Sequence, residues 1–112
     1  MLIDPKRVPA ELLAELRREF AAGLPARLAQ LRQALDELER GASPDAATKL
    51  RLTAHSLVGT AATFGATELT PHAEHLELLG RRWQQGAVRE MELHVAKTTL
   101  EQLTRAANRF DP

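Results

Sequence analysis

Apolar residues recur along this chain at intervals of three and four, which is the spacing of one face of an α-helix. The clearest stripe is a series of leucines in the first half of the chain: Leu24, Leu28, Leu31, Leu35 and Leu38. No segment shows the period-two alternation of a half-buried strand. The pattern therefore predicts an all-α protein.

Glycine and proline residues interrupt this pattern and divide it into five predicted helices. These helices cover about 9–23, 24–40, 44–64, 67–85 and 87–110. Because the connections are only a few residues long, consecutive helices should alternate in direction. We therefore expect helices two to five to form an antiparallel up-down-up-down four-helix bundle, with the short first helix lying across one end.

The ends and inner faces of these helices follow from the same pattern. Ser43 is expected to cap the third helix, where Pro44 suits the first position, and Pro71 is tolerable only in the first turn of the fourth. The residues expected inside helices three to five are Leu50, Ala54, Leu57, Ala61, Phe64, Leu69, Ala73, Leu76, Gly80, Trp83, Leu93, Ala96, Leu100, Leu103, Ala107 and Phe110.

The third predicted helix has an unusual outer face. At about 100° per residue, His55 lies roughly 140° from the centre of the core stripe, and Gly59 lies about opposite it. This outward stripe carries no charged residue and consists of Thr48, Leu52, His55, Gly59, Ala62 and Thr63. A glycine inside a helix costs about 1 kcal/mol relative to alanine, and an exposed leucine gains nothing from water. The stripe therefore predicts a surface that a partner covers.

Composition narrows the class of protein. With 112 residues, the chain is expected to form one domain over 1–112. Fifteen basic and fifteen acidic residues balance, which argues against nucleic acid or an anionic membrane as the main partner. The lack of cysteine excludes disulfides and thiolate metal sites. Residues 1–6 lack a signal-peptide stretch, and no apolar run approaches the roughly 20 residues of a membrane span, so we expect a soluble, cytoplasmic module. We also expect it to be a monomer.

The sequence His-Ser-Leu-Val-Gly at 55–59, followed by Phe64-Gly65, resembles the phosphoacceptor motif of histidine-containing phosphotransfer (Hpt) domains. That motif has the general form His-x-Leu-Lys-Gly, followed by small residues and a second glycine. Leu69, Ala73, Leu76 and Glu77 follow at the spacing typical of the next helix of the family. The helix order of the whole chain agrees with the family. One position departs from the motif, because Val58 stands where the family often has lysine.

The resemblance implies that His55 is the phosphoacceptor of a phosphorelay. It would exchange a phosphoryl group with the aspartate of response-regulator receiver domains, without kinase activity of its own. The implied partners are receiver domains, a hybrid sensor histidine kinase, or both. Mg²⁺ is expected on the receiver, and no cofactor is expected on this chain. An imidazole suits this role because its neutral form is a good nucleophile near pH 7.

The remaining site residues follow from the same comparison. Contacts with a receiver are expected from Leu52, Val58, Gly59, Ala62 and Thr63, with Leu13 and Leu16 as further apolar candidates. Because Val58 brings no positive charge, the candidates for stabilising the phosphoryl group are Lys49, Arg51, Arg81 and Arg82.

Two alternatives remain open on sequence grounds. The first is a non-catalytic adaptor that keeps the Hpt fold and its docking face but does not transfer phosphate efficiently, for which Val58 is the argument. The second is a helical metal-binding bundle, in which His72 and His75 would bind a metal together with Glu68 or Glu74.

Overall fold

The computed structural model describes residues 9–41 and 43–112. The segment 1–8, which includes the residues examined for a signal peptide, and Ala42, in the predicted loop before the third helix, lie outside the described residues. The described part of the chain forms four helices and no strand, which confirms the all-α prediction. They are α1 (Ala10–Arg40), α2 (Pro44–Thr63), α3 (Thr70–Gln85) and α4 (Glu90–Arg109).

The helices form the predicted four-helix bundle. α1 and α3 each pack against both α2 and α4, and short connections reverse the chain direction each time. The largest fully buried side chains are all leucines: Leu31, Leu35, Leu50, Leu57, Leu69, Leu76 and Leu103. Some residues predicted for the core are only partly buried at its edge: Leu28, Phe64, Leu93, Ala107 and Phe110. In the described ranges, none of the helices has the length and apolar character needed to cross a membrane.

The predicted break near Gly23 is wrong, because α1 continues through it from Ala10 to Arg40. The apolar stripe passes Gly23 and Pro25 without a change of phase, so that Phe20 and Leu24 are buried on the same face as the leucines that follow. This packing outweighs the cost of an interior glycine and of an interior proline, roughly 1 and 3 kcal/mol. The residues predicted to lie across the end of the bundle instead form the N-terminal turns of α1.

Both ends of α2 are fixed by local hydrogen bonds. At the start, the Ser43 side chain accepts a hydrogen bond from the Ala46 amide, and Pro44 occupies the first turn, as predicted. At the end, the Ala66 amide donates to the Ala61 carbonyl, and Gly65 adopts a φ of 75°. This is a Schellman motif, in which glycine adopts the left-handed conformation without strain.

The connections on either side of α3 are longer than the sequence predicts. α3 begins at Thr70 rather than near Thr67, with Pro71 in its first turn as expected. α4 begins at Glu90 rather than near Ala87. Trp83 is buried near the end of α3, where its indole N–H donates to a Glu92 carboxylate oxygen at 3.4 Å.

Candidate functional site

His55 lies in the middle of α2 and faces solvent, as the helical periodicity predicts, with its side chain 66% exposed. Leu52 is 51% exposed on the same side, and Gly59 and Ala62 are also exposed. A Cβ atom added at Gly59 would meet nothing within 4 Å. We call these four residues the histidine face. They form an open, uncharged surface around a single imidazole.

One ring nitrogen of His55 is hydrogen-bonded to a carboxylate from the neighbouring helix. The Nδ1–H group donates to Oε1 of Glu77, on α3, at 2.7 Å. A carboxylate has only acceptors, so the proton of the neutral imidazole must be on Nδ1. The lone pair is then on Nε2 at the solvent-facing ring edge. In the neutral imidazole, this arrangement leaves the nucleophilic nitrogen free of a proton on an exposed side chain.

Glu77 is also close to a positive charge. A terminal guanidinium nitrogen of Arg81, one turn further along α3, lies 3.7 Å from the second carboxylate oxygen of Glu77. Glu77 is only 15% exposed, whereas the Arg81 side chain extends into solvent. The three side chains form a network that links the imidazole through a shielded carboxylate to an exposed cation.

Close packing between α2 and α3 allows Glu77 to reach His55. A Cβ atom added at Gly80 would lie 2.9 Å from both the amide nitrogen and the Cβ atom of Arg51, so a side chain at position 80 would collide with the backbone of α2. The Arg51 Nε–H group donates to the Gln84 side-chain oxygen at 2.8 Å, and the Gln84 amide donates to Thr48 Oγ1 at 2.8 Å. These contacts fix the register of the two helices one turn from His55.

The opposite flank of α2 is joined to α1. Nη1 of Arg27 donates to Oγ1 of Thr60 at 2.7 Å, and the Thr60 hydroxyl donates to the Ser56 carbonyl at 2.9 Å. The guanidinium of Arg27 lies 5.9 Å from the ring centroid of Phe20. His55 therefore lies between a flank of α2 that is bonded to α1 and a flank that is bonded to α3.

The structure separates the residues that the sequence suggested as charge support. Of these, Arg81 belongs to the network of Glu77 and His55. Arg82 pairs with Glu92 on α4, and Arg51 is held by Gln84. Lys49 is exposed, but it precedes His55 by more than one and a half turns and projects from another side of α2.

The predicted docking residues also differ in exposure. Val58 is partly buried and packs against the core, so that it contributes less open surface than Leu52 or Ala62. Thr63 is partly exposed, and its hydroxyl donates to the Gly59 carbonyl at 3.0 Å. Thr48 is likewise partly buried by its hydrogen bond from Gln84. The open part of the stripe is therefore the histidine face itself.

The proposed metal ligands do not converge. Throughout 9–41 and 43–112, no group of three histidine or acidic side chains is placed to hold a metal ion. His75 instead lies near Thr99, with its Nδ1 atom 3.4 Å from the hydroxyl oxygen.

The sequence reasoning missed the contact between Glu77 and His55. The contact could have been predicted from the sequence, because His55 and Glu77 are equally far along the chain from Ala66, which lies in the connection between α2 and α3. Two antiparallel helices joined by a short connection bring such symmetric positions together.

This antiparallel four-helix bundle, with the solvent-facing His55 in the middle of α2, agrees with the resemblance to histidine phosphotransfer domains. The sequence matches the Hpt domain family over residues 15–109, and the chain belongs to that family. Membership implies histidine phosphotransfer in phosphorelays in general. The chain matches no curated protein and no solved structure.

Proposed function

We propose that this chain is a phosphorelay intermediate in which His55 accepts a phosphoryl group from the aspartate of one receiver domain and donates it to another. The observation that carries the proposal is the hydrogen bond from Nδ1 of His55 to Glu77, because in the neutral imidazole it leaves the lone pair on Nε2, on an open surface. The chain acts as a phosphocarrier rather than as an autonomous kinase.

The transfer needs one bond to form and one to break. The Nε2 lone pair of His55 attacks the phosphorus of the aspartyl phosphate, roughly in line with the bond to the aspartate oxygen. The bond from phosphorus to that oxygen breaks, and the aspartate leaves as a carboxylate. The reverse step regenerates the aspartyl phosphate. The receiver supplies Mg²⁺, and this chain binds no cofactor of its own.

Glu77 assists this step by stabilising the ring. Attack by Nε2 places positive charge on the imidazole, and the carboxylate that accepts from Nδ1–H stabilises that charge. Hydrogen bonds to charged groups contribute about 1.5–3 kcal/mol, which corresponds to roughly ten- to hundredfold in rate. Arg81 is our candidate for the positive charge that Val58 does not provide, because its exposed guanidinium lies next to Glu77.

The histidine face is the proposed receiver-binding surface. The side chains of Leu52 and Ala62 offer apolar contact, and Gly59 allows the backbone of α2 to be approached closely. Leu13 and Leu16, in the N-terminal turns of α1, are partly exposed and are further candidates for apolar contact. A transient interface of this kind buries about 1,200 Å² or less.

A transfer assay distinguishes the phosphocarrier from the adaptor. The chain is incubated with a receiver domain that has been phosphorylated by a small-molecule donor and Mg²⁺. Phosphate that appears on the chain and is labile in acid but stable in base supports the phosphocarrier. Binding to several receivers without any transfer supports the non-catalytic adaptor.

Substitutions at Gly59 should separate stability from docking. Both Gly59→Ala and Gly59→Gln are expected to raise the free energy of unfolding, by up to about 1 kcal/mol, because the position is helical and open. Gly59→Gln should nevertheless reduce receiver affinity and transfer severalfold, whereas Gly59→Ala should reduce them less. Thermal unfolding and titration with a receiver measure the two effects. Undiminished transfer by Gly59→Gln would show that the receiver binds elsewhere.

Removal of Glu77 should slow transfer without unfolding the bundle. Glu77→Ala is expected to lower the single-turnover rate roughly ten- to hundredfold, and Glu77→Gln, which keeps an acceptor, should lower it less. Nitrogen NMR of the imidazole should show a shift from the Nδ1–H toward the Nε2–H tautomer in Glu77→Ala. Glu74→Ala removes an exposed carboxylate from the same helix and is the matched control. An unchanged tautomer and rate in Glu77→Ala would exclude the proposed role.

A further inference from the structure

A concave site lies at the end of the bundle where α1 passes the connection between α2 and α3. It has a volume of about 450 Å³, and its walls include Arg17 from α1, Glu68 and Leu69 from the connection, and Arg109 and Phe110 from the end of α4. Volumes of about 300–1,000 Å³ are typical of small-molecule sites. None of the four residues of the histidine face lines this cavity.

Arg17 is the unusual group in this cavity. Its Nε atom is buried, and no residue in the described part of the chain accepts a hydrogen bond from it. Its guanidinium carbon lies 5.6 Å from the ring centroid of Phe110, so the aromatic ring holds the planar group against the wall. A buried donor without an acceptor costs about 1–3 kcal/mol, and more when it is charged. Because Arg17 lines the cavity, the remaining N–H groups of its guanidinium favour a ligand that brings acceptor oxygens.

The acidic groups at the cavity do not fill this role. Glu68 lies 3.6 Å from Arg109, and both side chains are well exposed, at 70% and 63%. Such a pair contributes little, because water and salt screen it. Asp111 also lines the cavity and is exposed. Neither carboxylate is within hydrogen-bonding distance of Nε of Arg17.

We propose that this cavity binds a small oxyanion, either a carboxylate or a phosphate group, through the guanidinium of Arg17. The two terminal nitrogens of the guanidinium also form a planar fork of parallel N–H groups, which matches two oxygens of such a group. Arg109, at the mouth, adds a second positive charge that can exchange its exposed partner Glu68 for the ligand. Phe110 and Leu69 provide an apolar wall for the remainder of the ligand. This site is separate from the proposed phosphoacceptor and does not depend on it.

Titration with simple anions tests the proposal. Inorganic phosphate and acetate are added separately to ¹⁵N-labelled protein at constant ionic strength maintained with chloride. We expect saturable shifts of the 65–69 amides and of the Arg17 Nε–H signal with at least one of the two anions. The response to each anion shows whether phosphate or carboxylate is the preferred group. Shifts that grow linearly with both anions and do not saturate would overturn the proposal.

Variants of Arg17 make the test specific. Arg17→Gln should weaken binding at least about tenfold, which corresponds to 1.4 kcal/mol. Arg17→Lys keeps the charge but lacks the fork, and it should also weaken binding. Arg18→Gln removes the exposed neighbouring arginine and should bind as the unchanged protein does. Equal binding by Arg17→Gln and the unchanged protein would show that the anion binds elsewhere.

Discussion

Replacement of His55 by glutamine should abolish phosphoryl transfer to this chain while the bundle remains folded. The imidazole is the proposed nucleophile, and an amide nitrogen cannot replace it because its lone pair is delocalised into the carbonyl group. The side chain is 66% exposed, so the change in unfolding free energy should stay within roughly 0.5 kcal/mol. The assay measures acid-labile, base-stable phosphate on the chain after incubation with a phosphorylated receiver.

The other histidines provide the controls for this result. His94 is exposed on α4, and His94→Gln should accept phosphate at the rate of the unchanged protein. His72→Gln and His75→Gln test the two histidines of α3 in the same way. Phosphate that persists on His55→Gln but disappears from one of these variants would move the acceptor to another helix. Receiver binding should survive in His55→Gln, because the rest of the histidine face is unchanged.

The sequence was sufficient to predict the bundle and the orientation of the histidine, because both depend on helical periodicity. Burial of Leu50 and Leu57 on one side of α2 sets the direction in which His55 and Gly59 point. The ends of α2 were also predictable, since Ser43 is a local N-cap and Gly65 ends the helix in a left-handed conformation. The capping residues of α2 and the helical periodicity of its apolar residues thus determine the position of the phosphoacceptor candidate.

The prediction of a helix break near Gly23 was wrong because it rested on local helix propensity alone. Gly23 and Pro25 are each unfavourable inside a helix, but the apolar face of α1 is buried on both sides of them. Many tertiary contacts along a continuous helix outweigh two local penalties. The apolar stripe keeps its helical phase from Phe20 to Leu24, and this continuity correctly indicates an unbroken helix.

The partners of His55 required knowledge of how two helices pair. Glu77 contacts the imidazole because α2 and α3 are antiparallel and close, whereas Arg82, only five residues later, faces α4. Arg81 and Arg82 are equivalent in the sequence as sources of charge. Their side chains differ only in orientation, since successive residues of an α-helix project about 100° apart around the helix axis. The packing of α2 against α3 thus favours Arg81 over Arg82 as the source of positive charge near His55, a distinction that the sequence alone could not make.

Substitution of alanine for Gly80 should have the largest effect on stability, and it should also disturb the site. The new Cβ atom would lie 2.9 Å from the backbone nitrogen of Arg51, and neither helix backbone can yield without displacing the other. Overpacking of this kind costs about 1–3 kcal/mol, and we expect Gly80→Ala to lower Tm by several degrees. Gly23→Ala is the matched control, because a Cβ atom there meets nothing within 4 Å, and it should instead stabilise the protein by up to about 1 kcal/mol.

The effect of Gly80→Ala should extend to the chemistry of His55. Separation of α2 from α3 lengthens the contact between Nδ1 and the Glu77 carboxylate, which lies one turn from Gly80. Well below its Tm, the variant should therefore show the slower transfer and the altered imidazole tautomer expected for Glu77→Ala. The combined variant of Gly80→Ala and Glu77→Ala should transfer no more slowly than Glu77→Ala alone, since both act through the same hydrogen bond. Additive losses would instead show that the close approach of α2 and α3 supports transfer by a route independent of Glu77.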